Sequence, residues 1–241
     1  MVIRVGDKFV SSKGHSAVVV EYLNNKNITI EYPSGHREVH QGANLTRGRF
    51  KDRSLPSTHG VGILGYENLD ANDQSYITWS NMLRRVYFPK EGAEKFAYHD
   101  CSVSPDWLHY RKFKEWFNIQ IFSNGYHLDK DLLKKGNTVY CPEYCVFIPQ
   151  EINKFLGNRA RRRGEWPVGV SYKKSNSKWD AKISIDGKSV YLGLFNSPED
   201  AFACYKIAKE KDAKRLAKVW KDKIDPRAVD ALEKFEVSIN D

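Results

Sequence analysis

Gly125-Tyr126-His127-Leu128-Asp129-Lys130-Asp131 is followed by Gly136-Asn137, then by Tyr140-Cys141-Pro142-Glu143-Tyr144-Cys145-Val146-Phe147-Ile148-Pro149 and Gln150-Glu151-Ile152-Asn153. The spacing reads as strand, Gly-Asn loop, strand, helix. It gathers acids, a His, a Lys and amides into one hairpin-plus-helix near the middle of the chain. Period two along the first strand sets His127 and Asp129 on one face and Leu128 and Lys130 on the other.

Beyond Asn153 the composition shifts. Arg159-Ala160-Arg161-Arg162-Arg163-Gly164 is too charged for a core and reads as a basic linker. From Trp166 a new unit begins, with strands at Val168–Tyr172, Trp179–Ile185 and Val190–Phe195. The Asp186-Gly187 pair between the last two is a hairpin signal. Ser197-Pro198-Glu199-Asp200 opens a helix with a capping box and a proline in its first turn. Ala201, Cys204, Tyr205 and Ala208 give that helix a buried stripe. Alternation and turn position put Lys173, Lys174, Lys178, Trp179, Lys182, Lys188 and Tyr191 on the outer face of the sheet. Cations interleaved with aromatics suit a groove reader, in which Lys meets phosphates and base edges while the rings pack on sugars.

Before the central stretch, residues 1–50 read as short strands and turns. Val18–Tyr22 and Ile28–Tyr32 are β-branched and aromatic, and Asn24-Asn25 and Ser34-Gly35 are turn signals. A small antiparallel barrel is expected. Arg47, Arg49, Lys51 and Arg53 then follow as a basic connector, read either as a solvated linker or as phosphate contacts. Gly60, Gly62 and Gly65 lack the Gly-Lys-Ser/Thr ending of a phosphate loop and read as a tight turn. Helices are expected from Ser75 to Tyr87 and from Pro105 to Ile119, each with Trp, Phe, Tyr or Leu at helical spacing.

Composition narrows the class of partner. The 241 residues carry a net charge of +9 at 41% hydrophobic content, which favours a polyanion while leaving enough apolar material for packed cores. No window approaches the roughly 18 consecutive apolar residues of a membrane span, and the first residues carry no secretory signal. An intracellular protein is expected, with Cys101, Cys141, Cys145 and Cys204 as free thiols.

Two chemical readings of the central stretch compete. Asp129 and Asn153 offer oxygen ligands to one hard divalent ion, Mg²⁺ or Mn²⁺, which would assist phosphodiester hydrolysis. Cys141 and Cys145, with Cys101 and His99 upstream, could instead hold structural zinc, but the spacing is loose and a second Cys pair is missing. Apolar packing is the expected role of these cysteines.

Two resemblances sharpen the expectation. Val168-Gly169-Val170, Lys178-Trp179-Asp180-Ala181-Lys182-Ile183, Tyr191-Leu192-Gly193-Leu194-Phe195 and Glu199-Asp200-Ala201 through Tyr205 resemble the APETALA2/ERF DNA-binding domain. This resemblance implies that the sheet reads a DNA major groove. The central stretch resembles the HNH nuclease core, the ββα-metal fold, as found in mobile (homing-type) endonucleases of bacteriophages. It implies that Asp129 binds metal, that Asn137 steadies the loop and that Asn153 is the helix ligand. The family's catalytic His falls at Lys130. An ordinary Lys pKa of about 10.4 makes a poor base at neutral pH, so Lys130 would need a depressed pKa, and His127 is the substitute base.

The expectation is therefore a multidomain α+β chain. It comprises a small β-barrel (1–58), a helical ββα domain (59–157), a basic linker (158–164), and a three-stranded antiparallel sheet packed on a helix with a helical tail (165–241). Double-stranded DNA is the expected partner, with no membrane. Arg159, Arg161, Arg162 and Arg163 are expected to add phosphate contacts. Two functions stand open: a metal-dependent endonuclease or nickase, or a DNA-binding regulator with an inactive nuclease core. A phage origin would place it in a bacterial cytoplasm.

Overall fold

The computed structural model describes residues 2–66, 69–92, 97–120, 125–157 and 165–240. The chain is α+β and divides into two compact units, residues 1–88 with 108–112, and residues 89–107 with 113–241.

In the first unit, strands β1 (Lys8–Val10), β2 (Ser16–Asn24), β3 (Asn27–Glu31) and β4 (Arg37–His40) form an antiparallel sheet in sequential order. Phe9, Ala17, Val19, Ile28 and Ile30 alternate onto one face and pack with Tyr32, Phe50 and Leu45 of helix α1 (Gly42–Thr46). The expected barrel is corrected to an open sheet: β1 and β4 are its two edges, and the described residues pair neither with the other. Barrel closure needs tilted, staggered strands of matched length, and edges of three and four residues do not supply them.

A hairpin follows, β5 (Pro56–Thr58) with β6 (Gly62–Ile63). The glycine-rich stretch is its turn, with His59 and Gly60 both at positive φ. Gly62 is there for another reason, since a Cβ would meet the Trp79 ring at 2.8 Å. Trp79, Met82 and Leu83 are the buried stripe of helix α2 (Gln74–Tyr87), which Asp73 caps by accepting from the Ser75 amide. The helix expected over 105–119 is broken. A 3-10 turn at Pro105–Leu108 precedes α3 (Tyr110–Asn118), and His109 between them bridges to Ile63 in a parallel β-bridge.

In the second unit, β8 (His127–Asp129) pairs antiparallel with β10 (Val146–Ile148), and α4 (Gln150–Leu156) follows directly. The loop between the strands is wider than a hairpin turn. Its middle forms β9 (Val139–Tyr140), which pairs in parallel with β7 (Ser102–Val103). Then come β11 (Val170–Lys173), β12 (Lys178–Ile185) and β13 (Lys188–Phe195), in that order in one antiparallel sheet. Asp186 and Gly187 both have positive φ, as a two-residue type I′ turn requires.

Helix α5 (Pro198–Trp220) and helix α6 (Pro226–Glu233) close the chain. The 23 residues of α5 span about 34 Å at 1.5 Å per residue. Its first half packs Ala201, Phe202 and Tyr205 against Ala181 and Ile183 of the sheet. Its second half packs Ala213, Leu216 and Ala217 against Leu132, Val146, Ile148, Ile152 and Phe155 of the strand–strand–helix element, with Ala228, Val229 and Leu232 of α6. The central element and the C-terminal helices, expected in separate domains, thus share one apolar core. No described helix is long and apolar enough to cross a membrane.

Candidate nucleic-acid interface

The three-stranded sheet buries one face on α5 and leaves the other to solvent. Along β12, Ala181 and Ile183 point to the core, while Lys178, Lys182 and Ser184 are exposed. Lys174 and Lys188 stand exposed at or beside the two turns, Lys173 is half-buried, and Tyr191 is 52% exposed opposite Lys182. Lys173 Nζ lies 5.8 Å from the centroid of the Tyr191 ring, within cation–π range. By register Lys173, Lys178, Lys182 and Tyr191 share the outer face, and Lys174 lies in the turn beside it, whereas Lys188, expected there too, stands opposite Ile185 on the parity of the inner face.

Trp179 is a second correction. It alternates with Lys178 and packs on the inner side beside the Ala181–Ile183 core, in ring contact with Trp166 and Tyr172. Period two along β12 required this, since Trp179 and Ala181 share parity and Ala181 is buried. The ring of Tyr172, 39% exposed, is the aromatic that this cluster brings to the surface.

Sequence reading missed Asp180, the residue that organises the face. It is 0% exposed, yet it lies on the parity of Lys178 and Lys182. Its carboxylate pairs with Lys182 Nζ at 2.8 Å and Lys173 Nζ at 3.9 Å and accepts from Ser171 Oγ at 2.5 Å. Burial works to raise its pKa, but the Lys182 and Ser171 hydrogen bonds and the two ammonium charges outweigh burial and hold it below the ordinary carboxylate value. Asp180 thereby fixes two ammonium groups on adjacent strands. The alternation Lys178-x-Asp180-x-Lys182 was the available signal.

The central element is built differently. Lys130 is 8% exposed, and its ammonium donates to Asp131 Oδ1 and to the Asn137 carbonyl, both at 2.7 Å. Burial alone would lower its pKa, but Asp131, with smaller help from Cys101 and Asp129, raises it above the ordinary Lys value. The depressed pKa a lysine base requires is thus reversed, and Lys130 is a structural cation. Asn137, 6% exposed, donates Nδ2 to the carbonyls of Lys130 and Val139 and accepts from the Val139 amide. It staples the loop.

Asp129 Oδ1 accepts from the backbone amides of Asp131 at 3.0 Å and Leu132 at 2.7 Å. Burial raises its pKa, against those two hydrogen bonds. His127 and Asn153 are both exposed, on β8 and on α4, which lies against β8. Among the described residues no three His, Cys, Asp or Glu side chains converge as a metal-ligand set. For one divalent ion Asp129 could offer its second oxygen, beside the side chains of Asn153 and His127. That set supplies one carboxylate, so a Mg²⁺ ion held there would take most of its octahedron from water and substrate phosphate.

Cys141 and Cys145 are buried and Cys101 is half-buried, all three as free thiols whose pKa values burial raises. Their loop is held by Arg227 of α6, which donates to the carbonyls of Pro142, Glu143 and Cys145. Arg159, Arg161, Arg162 and Arg163 lie outside the described residues. No protein-family model, curated protein or solved structure matches the chain.

Proposed function

We propose that the chain binds double-stranded DNA through the outer face of the β11–β13 sheet, and that its strand–strand–helix element is a structural brace without hydrolytic activity. The observation that carries this reading is the charge arrangement on the sheet. Lys173, Lys178 and Lys182 share one face with Tyr191, Lys174 and Lys188 stand exposed at the turns that border the sheet, and a buried Asp180 pre-positions Lys173 and Lys182. A three-stranded sheet of this width presents side chains to base edges and to the flanking phosphates of a major groove. The resemblance to the APETALA2/ERF domain points the same way.

Reading the central element as a brace rests on Lys130. It occupies the position at which the HNH resemblance implies a His base, and its ammonium is spent on Asp131 and Asn137. The test is selection from a random duplex library followed by binding titrations of the native chain and of Lys174→Ala/Lys178→Ala/Lys188→Ala. Those three lysines are exposed and leave the partners of Asp180 intact. An enriched sequence with binding weakened in the variant supports the reading. Equal binding by both proteins counts against it.

One observation favours a second reading, a metal-dependent endonuclease. The β8–β10–α4 order and the Asn137 staple match what the HNH resemblance implies, with His127 as the remaining base and Asp129 and Asn153 as ligands. Supercoiled plasmid incubated with Mg²⁺ or Mn²⁺ decides it. Nicking that is abolished in both Asp129→Ala and His127→Ala would establish the enzyme, and intact plasmid with either metal would retire it.

A further inference from the structure

The basic connector Arg47–Arg53 is not a loose linker. Gly48, Phe50 and Asp52 are buried, while Arg49 is exposed and Lys51 and Arg53 are half-buried between them. Each buried residue is an anchor of a different kind. Gly48 has φ +63 and lies against the β1–β2 turn so closely that a Cβ would sit 2.7 Å from the Ser12 amide nitrogen, and its carbonyl accepts that amide at 3.0 Å. Phe50 enters the core of the first unit. The Asp52 carboxylate accepts from the amide and hydroxyl of Ser54 and from the Tyr66 hydroxyl, and its own amide donates to His15 Nδ1 at 2.8 Å.

These anchors bring a second basic segment alongside. The turn Ser11–His15 is itself rigid, with Ser11 Oγ accepting from the amides of Lys13 and His15. Docked on Gly48 at one end and on Asp52 at the other, it carries the exposed Lys13 to the Lys51–Arg53 segment. Besides burial, the charges of Lys13 and Arg53 act on the Lys51 amine, and all three lower its pKa. Cations gathered at a folded, hydrogen-bonded surface repel one another, and an anion between them relieves that repulsion.

We infer that Lys13, Arg49, Lys51 and Arg53 form a phosphate-binding band on the first unit, which takes the phosphodiester backbone of duplex DNA without regard to sequence. The band shares its partner class with the proposed sheet interface but stands on separate residues. Neutralising backbone phosphates in this way releases counterions, so each phosphate engaged adds about 0.9 to the slope of log K against log[salt].

The experiment titrates the full chain with a random duplex of about two helical turns over a range of salt. It compares the native protein, Lys13→Gln/Arg49→Gln/Lys51→Gln, the sheet variant Lys174→Ala/Lys178→Ala/Lys188→Ala, and the two sets combined. The band substitutions are expected to reduce the slope by roughly 2–3 and to do so equally in native and sheet-variant backgrounds. An unchanged slope in both backgrounds overturns the band. A slope that falls with the band variant but not with the sheet variant keeps the band and removes the sheet interface. Thermal unfolding checks that the triple variant is folded. If it is not, the exposed Lys13→Gln alone is read, with an expected fall of about 0.9 in slope, and no fall overturns the band.

Discussion

Lys130 and Asn137 spend their polar side-chain atoms on the loop that they belong to, and Asp129 spends one carboxylate oxygen there. Lys130 holds the Asn137 carbonyl, Asn137 holds the Lys130 carbonyl, and Asp129 caps the turn at Leu132. A buried amide with three hydrogen bonds leaves several groups unsatisfied when it is removed, each at about 1–3 kcal/mol. Asn137→Ala is therefore expected to lower unfolding free energy by about 2–4 kcal/mol in urea titrations. Asn153→Ala, on the exposed face of α4, should stay within about 0.5 kcal/mol. The sequence separated the pair by place, Asn137 in the loop and Asn153 on the helix, but not by burial. Lys130 was legible as a departure from the His that the resemblance implied. Its burial was not, because burial depends on Asp131 and on a carbonyl seven residues away.

At the scale of elements, α5 joins the sheet to the central strand–strand–helix. Its start was legible to the residue: Ser197 caps by accepting from the Asp200 amide, and Pro198 sits in the first turn. Its second role was not, since the stripe Ala213-Leu216-Ala217 shows an apolar face without naming what covers it. The open N-terminal sheet was hidden in the same way, because strand patterns give faces but not closure. Leu216, 1% exposed, lies in the core common to α4, α5 and α6. Leu216→Ala is expected to cost about 2–5 kcal/mol, measured by denaturant unfolding.

Lys209 on the same helix adds a pH dependence. Its Nζ donates to the Phe155 carbonyl at 2.5 Å and lies over the Phe155 ring, and burial pulls its pKa down to about 8, against Asp212. In the unfolded chain it returns to about 10.4. Between those values the unfolded chain binds the proton and the native chain does not, so this group makes stability rise as pH rises from about 8 to about 10.4. The rise should reach at most about 3 kcal/mol and should vanish in Lys209→Met, as read from unfolding midpoints across that window.

For the whole molecule, the net charge of +9 includes a basic cluster in each of the two units. One is the lysine face of the β11–β13 sheet and the other is the band around Lys51. Composition pointed to a polyanion, and alternation located Lys178 and Lys182. Neither could supply Asp180 as the organiser of the face or bring Lys13 to Arg53, because both depend on pairing between strands or between distant loops. The central claim is that the sheet face engages duplex DNA. Its most direct test is the salt dependence of DNA affinity for the native chain beside Lys174→Ala/Lys178→Ala/Lys188→Ala, on the duplex selected from the random library. The native protein is expected to bind with an affinity that falls steeply with salt. The variant should bind at least about tenfold more weakly, with the slope reduced by about 0.9 for every phosphate it no longer neutralises. Affinities and slopes that coincide for the two proteins, or a native affinity indifferent to salt, would contradict the claim.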